Sequence, residues 1–308
     1  MSFQLPEHVR KYVHNAFAAA NRRVATMICR MPTTYEVALD MALIADLAEH
    51  AVPVTLEGNW QVRIDTHFLG GGRHYYRWEV ADIGVIVMFR ANGKLVRTKL
   101  AVLQSKRLYP DEQDFDEGRA DDYLVGFARL FDAREMVPAA ASRPFTLTER
   151  SAYKSLGIND EQQVTITSYL AGASPPVFYL FYNPMVLPWQ AVIPVTRAEA
   201  IPEDCAVGCR VVPFPVFKEA MQSLATGHHP TFGEVKTRLP TPFTASENAG
   251  GWRLEHFIVD RLLDCRDGHI LTGPDDPVAH RVFGSRGGPI SAALAITIDG
   301  PLVASSPD

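Results

Sequence analysis

The spacing of hydrophobic and polar residues in the first part of the chain predicts two helices. Residues 6–28 follow a helical period and contain no glycine, and residues 31–53 form a second helical segment. Two neighbouring stripes run along the second segment. One is apolar throughout, whereas the other begins with Glu36 and Asp40 and then becomes apolar. Two carboxylates one turn apart therefore lie at the N-terminal end of this helix.

The period then changes to two, which indicates strands. Residues 59–69 alternate, and residues 73–90 form a long strand-like run after a glycine turn. Asn92-Gly93 is a strong hairpin signal, and residues 95–106 return as the next strand. Residues 119–134 have a helical pattern. The predicted order is helix, three antiparallel strands, helix.

The second half of the chain is richer in proline and less regular. It contains a later strand, at either residues 162–170 or residues 175–183, a helix at residues 252–265 and a final strand at residues 291–300. The stretch PAAASRPF places a boundary near residue 140. Either residues 1–140 and 141–308 are two units, or this stretch is a loop within one continuous domain.

Composition bounds the class of protein. The chain has 308 residues, of which 47% are hydrophobic and 21% charged, and its net charge is -5. A nucleic-acid contact must therefore come from a local basic patch. Four cysteines give no disulfide framework, the N-terminus lacks the apolar segment of a signal peptide, and no apolar run reaches the roughly 18 residues of a membrane helix. We expect a cytoplasmic protein with no membrane partner.

The predicted hairpin brings polar residues together. Closing it at the Asn92-Gly93 turn places Asp82 near the strand end Gln104-Ser105-Lys106. Gln104 and Lys106 then share one face of the strand, and Ser105 points to the other face, away from them. Phosphodiester cleavage by a divalent metal needs hard oxygen ligands, an activated water and charge stabilisation at the phosphate. Carboxylate, amide and ammonium groups at one sheet end are suited to that chemistry.

The order of a helical Glu36, a strand Asp82 and a strand-terminal Gln-x-Lys resembles the PD-(D/E)xK superfamily of restriction-endonuclease-like nucleases. The stretch LQSKRLYP resembles the strand end of Mrr-type and bacterial anti-phage defence nuclease domains. The resemblance covers about residues 30 to 135 and departs from the family in VADIG, which lacks the glycine that often precedes the aspartate. It implies an α/β fold with an αβββαβ core over residues 1–140, and residues 141–308 are then a C-terminal α+β extension.

The same resemblance implies a Mg²⁺-dependent endonuclease acting on DNA, with Mn²⁺ as a substitute. Asp82, Gln104 and Glu36 would hold the metal, and Lys106 would orient the water. Two further acidic candidates are Asp40 and Glu79. Candidate contacts to the nucleic-acid backbone are Arg107, Lys99 and Arg129.

Three other interpretations stay open. The chain is an inactive nuclease-like scaffold that binds a partner protein or nucleic acid in a defence complex, or it is an enzyme of the same fold that cuts RNA. The third is a hairpin with a solvated polar end, whose Lys106 and Arg107 discourage edge-to-edge aggregation. Convergence of the acidic residues on Asp82, with Lys106 turned inward, would favour the enzyme.

Overall fold

The computed structural model describes residues 5–68, 80–111, 131–132, 137–138, 143–193, 200–240, 250–273, 275–283 and 289–301. Two candidate site residues, Glu79 and Arg129, lie outside the described residues. Most of the helix predicted at residues 119–134 lies outside them too, and its Phe131 and Asp132 form a short strand instead.

The described residues fold into both helices and strands. The α-helices are α1 (Glu7–Arg30), α2 (Glu36–Ala48), α3 (Glu161–Leu170), α4 (Phe214–Met221), α5 (Phe232–Arg238), α6 (Leu254–His256) and α7 (Pro277–Phe283). A 3-10 turn spans Glu57–Asn59, and α6 continues as a π-helical segment, Phe257–Leu263. The strands are β1 (Val54–Thr55), β2 (Gln61–Phe68), β3 (Ala81–Ala91), β4 (Lys94–Arg107), β5 (Phe131–Asp132), β6 (Val137–Pro138), β7 (Arg143–Leu147), β8 (Val177–Tyr182), β9 (Trp189–Ile193), β10 (Arg210–Pro213), β11 (Trp252–Arg253), β12 (His269–Leu271) and β13 (Ile290–Gly300).

A mixed sheet forms the centre of this α/β fold, in the order β1-β2-β13-β3-β4-β8-β10-β11, with β12 paired to β4. The β3–β4 hairpin is confirmed, and Asn92 and Gly93 both have positive φ angles, 50° and 78°, as a tight hairpin turn requires. The predicted run of three antiparallel neighbours is wrong at one place. Strand β13 lies between β2 and β3, antiparallel to the first and parallel to the second. Its side chains are nearly all buried, which is typical of a central strand.

Strand β8 extends the sheet on the other side, parallel to β4. Of the two segments considered for this later strand, residues 175–183 contain β8, whereas residues 162–170 belong to α3. The Asp160 side chain caps α3 by accepting a hydrogen bond from the Gln163 N–H at 2.8 Å. Since β8 and β13 pair with β4 and β3, one sheet contains strands from both sides of residue 140.

Successive residues of β8 face two different helical layers. Phe178 packs against Phe257, with ring centroids 4.7 Å apart, on the face covered by α1, α2 and the helix at 254–263. Tyr179 packs against Phe217 of α4 on the opposite face, at 4.9 Å. Tyr182 therefore shares the face of Phe178 and α2.

The stripe of α2 that begins with carboxylates is the stripe that faces the sheet. Asp40 is 9% exposed, whereas Val37 and Met41, from the apolar stripe, are 68% and 44% exposed. The helix thus turns acidic side chains inward. In the part of the chain that the structure describes, no helix is both long and apolar enough to span a membrane.

Candidate active site

A cluster of buried and partly buried polar side chains lies at the open end of the β3–β4 hairpin, where α2 begins. Asp82 is the second residue of β3, Gln104 to Arg107 end β4, and Glu36 is the first residue of α2. The hairpin register pairs Ile83 with Leu103. The residues that follow this pair toward the open end of the hairpin are Asp82 on β3 and Gln104 and Ser105 on β4. Antiparallel pairing is the reason that residues far apart in the chain meet here.

The carboxylate of Asp82 is fixed by three hydrogen bonds to one oxygen. Its Oδ2 accepts from Gln104 Nε2 at 2.5 Å, from the Ser105 backbone N–H at 2.7 Å and from Ser105 Oγ at 2.8 Å. Its Oδ1 takes none of these bonds. Gln104 Oε1 is buried and, among the described residues, has no hydrogen-bond partner. An unpaired buried acceptor beside a carboxylate is a feature that a bound cation would explain.

Glu36 links the same end of β4 to the start of α2. Its Oε1 accepts hydrogen bonds from the Arg107 backbone N–H at 2.9 Å and from Ser155 Oγ. Its Oε2 lies 3.7 Å from Lys106 Nζ. The Lys106 side chain is 5% exposed, so the ammonium points into the cluster. Glu36, Asp82, Gln104 and Lys106 therefore come together as the sequence predicts, while their catalytic roles remain predictions.

Asp40 lies deeper, one turn along α2. Its Oδ1 accepts a hydrogen bond from the Tyr182 hydroxyl at 2.6 Å, and its Oδ2 lies 3.0 Å from Ser105 Oγ. The expectation that Ser105 points away from the site is wrong. It does alternate with Gln104 and Lys106, but α2 lies on the face of Ser105. The serine thus bridges Asp40 and Asp82.

Ser105 Oγ carries a single proton, so it can donate a hydrogen bond to only one of two ionised carboxylates. Burial, followed by the charge of Asp82, raises the pKa of Asp40 well above its usual range, and burial raises the pKa of Asp82 to about 6 despite the nearby Lys106 ammonium. The consistent arrangement is a protonated Asp40 that donates to Ser105, which donates to an ionised Asp82. Tyr182 remains a donor because burial raises its pKa well above 10.0.

Sequence reasoning missed Ser105, Tyr182 and Ser155 as members of this cluster. For Ser105 and Ser155, the sequence carries no signal, since a serine in a loop or strand is common. Tyr182 ends a strand, as Gln104 to Arg107 do, and it pairs with Arg107 across β4 and β8. Polar side chains at the ends of adjacent parallel strands meet at one sheet edge, and that rule would have found it.

Two of the basic residues assigned to nucleic-acid contact have structural roles instead. Lys99 is 1% exposed, and its ammonium donates to the carbonyls of Leu262, at 2.9 Å, and Asp267. Arg107 is fully buried, donates to the Pro32 carbonyl at 2.5 Å and lies over the Tyr109 ring. Both assignments are corrected, because a buried cation with carbonyl partners does not present its charge to a phosphate backbone.

Burial also contradicts the interpretation of a solvated hairpin end. Gln104, Lys106 and Arg107 are each less than 5% exposed. A dense set of carboxylates, an amide oxygen without a partner among the described residues and an inward-pointing ammonium is suited to binding a hard divalent cation and an anionic substrate. Searches of family models, curated proteins and solved structures find no match to this chain.

Proposed function

We propose that this chain is a Mg²⁺-dependent endonuclease that cleaves phosphodiester bonds in DNA, built on a restriction-endonuclease-like core. The observation that carries the proposal is the meeting of Glu36, Asp82, Gln104 and Lys106 at one end of the sheet, where Gln104 and Lys106 are buried. The order of α2, a β3–β4 hairpin and a strand parallel to β4 supports the proposed core. In that core, β13 would be an additional strand inserted between β2 and β3.

A divalent ion fits the donor set. Asp82, Glu36 and the Gln104 amide oxygen are the hard oxygen ligands that Mg²⁺ and Mn²⁺ prefer, and these residues would hold the ion. The unpaired Gln104 Oε1, within the described residues, supports this assignment. When bound, the ion would supply a water of lowered pKa and would polarise a phosphoryl oxygen.

The chain's own residues would supply the rest of the chemistry. Lys106, held 3.7 Å from Glu36, would orient the attacking water and offset the charge that develops on the phosphate. The relay from Tyr182 through Asp40 and Ser105 would hold Asp82 in a fixed orientation. A neutral Asp40 also leaves one negative charge fewer in the pocket, which lowers the repulsion of a phosphate.

The competing function is an inactive scaffold that binds a partner protein or nucleic acid. It is favoured by one observation: the ligand position at residue 104 carries a neutral amide, and its Nε2 already bonds to Asp82. The proposed role in defence against foreign DNA rests on the resemblance of LQSKRLYP to anti-phage nuclease domains.

The test is a plasmid cleavage assay with purified protein and Mg²⁺ or Mn²⁺. We expect metal-dependent nicking by the wild type, and a loss of about 100-fold or more in Lys106→Ala and Asp82→Ala. Lys94→Ala is the matched control, because Lys94 is an exposed lysine of the same strand. Its rate should equal that of the wild type.

The other outcomes separate the alternatives. Cleavage that survives Lys106→Ala and Asp82→Ala would contradict this active site. Cleavage of a single-stranded RNA but not of plasmid DNA would favour the RNA enzyme. A wild type that binds Mn²⁺ and DNA without cutting, with metal binding lost in Asp82→Ala, would favour the scaffold.

A further inference from the structure

A second polar cluster lies where α1 packs against α6 and the π-helical segment. Arg10, His14 and Asn21 are spaced by four and seven residues and line one side of α1. Arg10 Nη2 donates to Asp260 Oδ1 at 2.8 Å, and Asn21 Nδ2 donates to Glu255 Oε2 at 2.8 Å. His14 stands between these two contacts. Unlike Arg10 and Asn21, His14 has its ring packed against another histidine.

His14 faces His256 across the helix interface. The two ring centroids are 5.2 Å apart, with the ring planes at 67°. One donor atom from each of His14, Glu255 and His256 lies within 4.8 Å of the other two. Tetrahedral zinc with bonds of about 2.0–2.1 Å holds its ligand atoms about 3.4 Å apart, so small side-chain rotations would close the set. Two imidazoles and a carboxylate are donors that zinc prefers.

Neighbouring side chains orient two of these three residues, His256 and Glu255, as hydrogen-bond partners orient the ligands of a metal site. His256 Nδ1 is hydrogen-bonded to Asp260 Oδ2 at 3.0 Å, which leaves Nε2 as the ring nitrogen available to a metal ion. Glu255 is 1% exposed, and its two oxygens accept from Asn21 and, at 2.5 Å, from Arg253 Nε. Each carboxylate oxygen has a second lone pair, so both hydrogen bonds are compatible with ligation.

We propose that His14, Glu255 and His256 bind a divalent transition-metal ion of the zinc class, at a site separate from the end of the β3–β4 hairpin. The ion would cross-link α1 to the helix at 254–263. The His256 side chain is 44% exposed, so the ion enters from solvent, and water completes its coordination. This inference does not rest on the proposed nuclease activity.

The experiment is a Zn²⁺ titration of the metal-free full-length protein, followed by calorimetry, with excess Mg²⁺ present to compete at the hard-ligand site. We expect one Zn²⁺ per chain, and an affinity about tenfold or more weaker in His14→Ala and in His256→Ala. His280→Ala removes an exposed histidine from α7 and is the matched control. Neither His280→Ala nor Asp82→Ala should change the affinity.

Two measurements on the wild type test the zinc site without depending on the folding of any variant. Saturating Zn²⁺ should raise the Tm of the wild type by about 5 °C. X-ray absorption at the zinc edge of the wild type should show imidazole scattering from two histidines. The proposal is overturned by unchanged Zn²⁺ affinity in both histidine variants, by its loss in Asp82→Ala, or by sulfur in the zinc shell.

Discussion

At the scale of single residues, the candidate active site concentrates groups that the fold would be more stable without. Asp40 and Asp82 are two carboxyl groups bridged by one serine, and both have raised pKa values. A raised pKa in the folded state means that ionisation is harder there than in the unfolded chain. The two buried or partly buried carboxyl groups therefore lower the stability of the metal-free fold near neutral pH.

The sign of this effect gives a prediction for Asp82→Asn. The pKa of Asp82 rises from its ordinary 3.8 to about 6, so stability is lost as pH rises through this window and the loss is complete above it. A rise in pKa of this size lowers the free energy of unfolding by roughly 3 kcal/mol at most. We expect Asp82→Asn to raise the free energy of unfolding of the metal-free chain at pH 7.5.

The measurement is urea unfolding of wild type and Asp82→Asn at pH 7.5 and at pH 4. The stabilisation should shrink at pH 4, where Asp82 is protonated in the folded wild type. A variant that is less stable than the wild type at pH 7.5 would contradict the assignment of the raised pKa.

At the scale of elements, the β3–β4 hairpin sets the geometry of the candidate site. Its turn, together with the one-residue register shift between Phe89 and Arg90, fixes which residue of β3 faces which residue of β4. A further slip of one position would exchange the faces of Gln104 and Ser105. Gly93 in the turn has a φ of 78°, and a Cβ there would meet nothing within 4 Å. Its cost on substitution is therefore backbone strain alone.

We expect Gly93→Ala to lower the free energy of unfolding by about 1 kcal/mol, because alanine resists the left-handed conformation. Gly273→Ala is the control, since Gly273 is also an open position but has no left-handed φ. Chemical denaturation of both variants measures the difference. Equal stability of the two variants would show that the turn does not depend on this conformation.

Also at this scale, α3 shows how a cap outweighs residue preference. Its segment EQQVTITSYL contains four consecutive β-branched residues, which favour a strand. The Asp160 carboxylate nevertheless satisfies the Gln163 N–H and starts a helix. Asp160→Ala is expected to destabilise the protein by about 1 kcal/mol. Thermal unfolding would measure this, and an unchanged Tm would show that packing alone maintains α3.

At the scale of the whole molecule, the sheet depends on strands that come from the end of the chain. Strand β13 pairs with β2 over eight residues and with β3 over ten. Strand β8 covers the opposite side of β4. A chain that ends near residue 140 would leave β3 and β4 with unpaired edges and exposed apolar faces.

We therefore expect residues 1–140 expressed alone to lack a cooperative unfolding transition. Circular dichroism during thermal unfolding and limited proteolysis would measure this, with the full-length protein as the control. A fragment that unfolds cooperatively and resists protease would show that the first half is an independent unit.

The sequence by itself determined the elements whose signals are local. Helical spacing indicated α1 and α2, and Asn92-Gly93 indicated the hairpin. The order of a helical Glu36, a strand Asp82 and the strand end Gln104-x-Lys106 indicated four members of the candidate site. Periodicity and turn chemistry act within a few residues, so they can be detected without knowledge of the fold.

The tertiary structure alone decided which elements became neighbours. The insertion of β13 between β2 and β3 joins residues more than 200 positions apart. Because α2 packs on the face of the sheet that carries Ser105, this serine bridges Asp40 and Asp82. The same packing buried Lys99 and Arg107, whose charge had suggested surface contacts. Burial and long-range pairing depend on how all the elements pack together, and no local pattern along the chain encodes them.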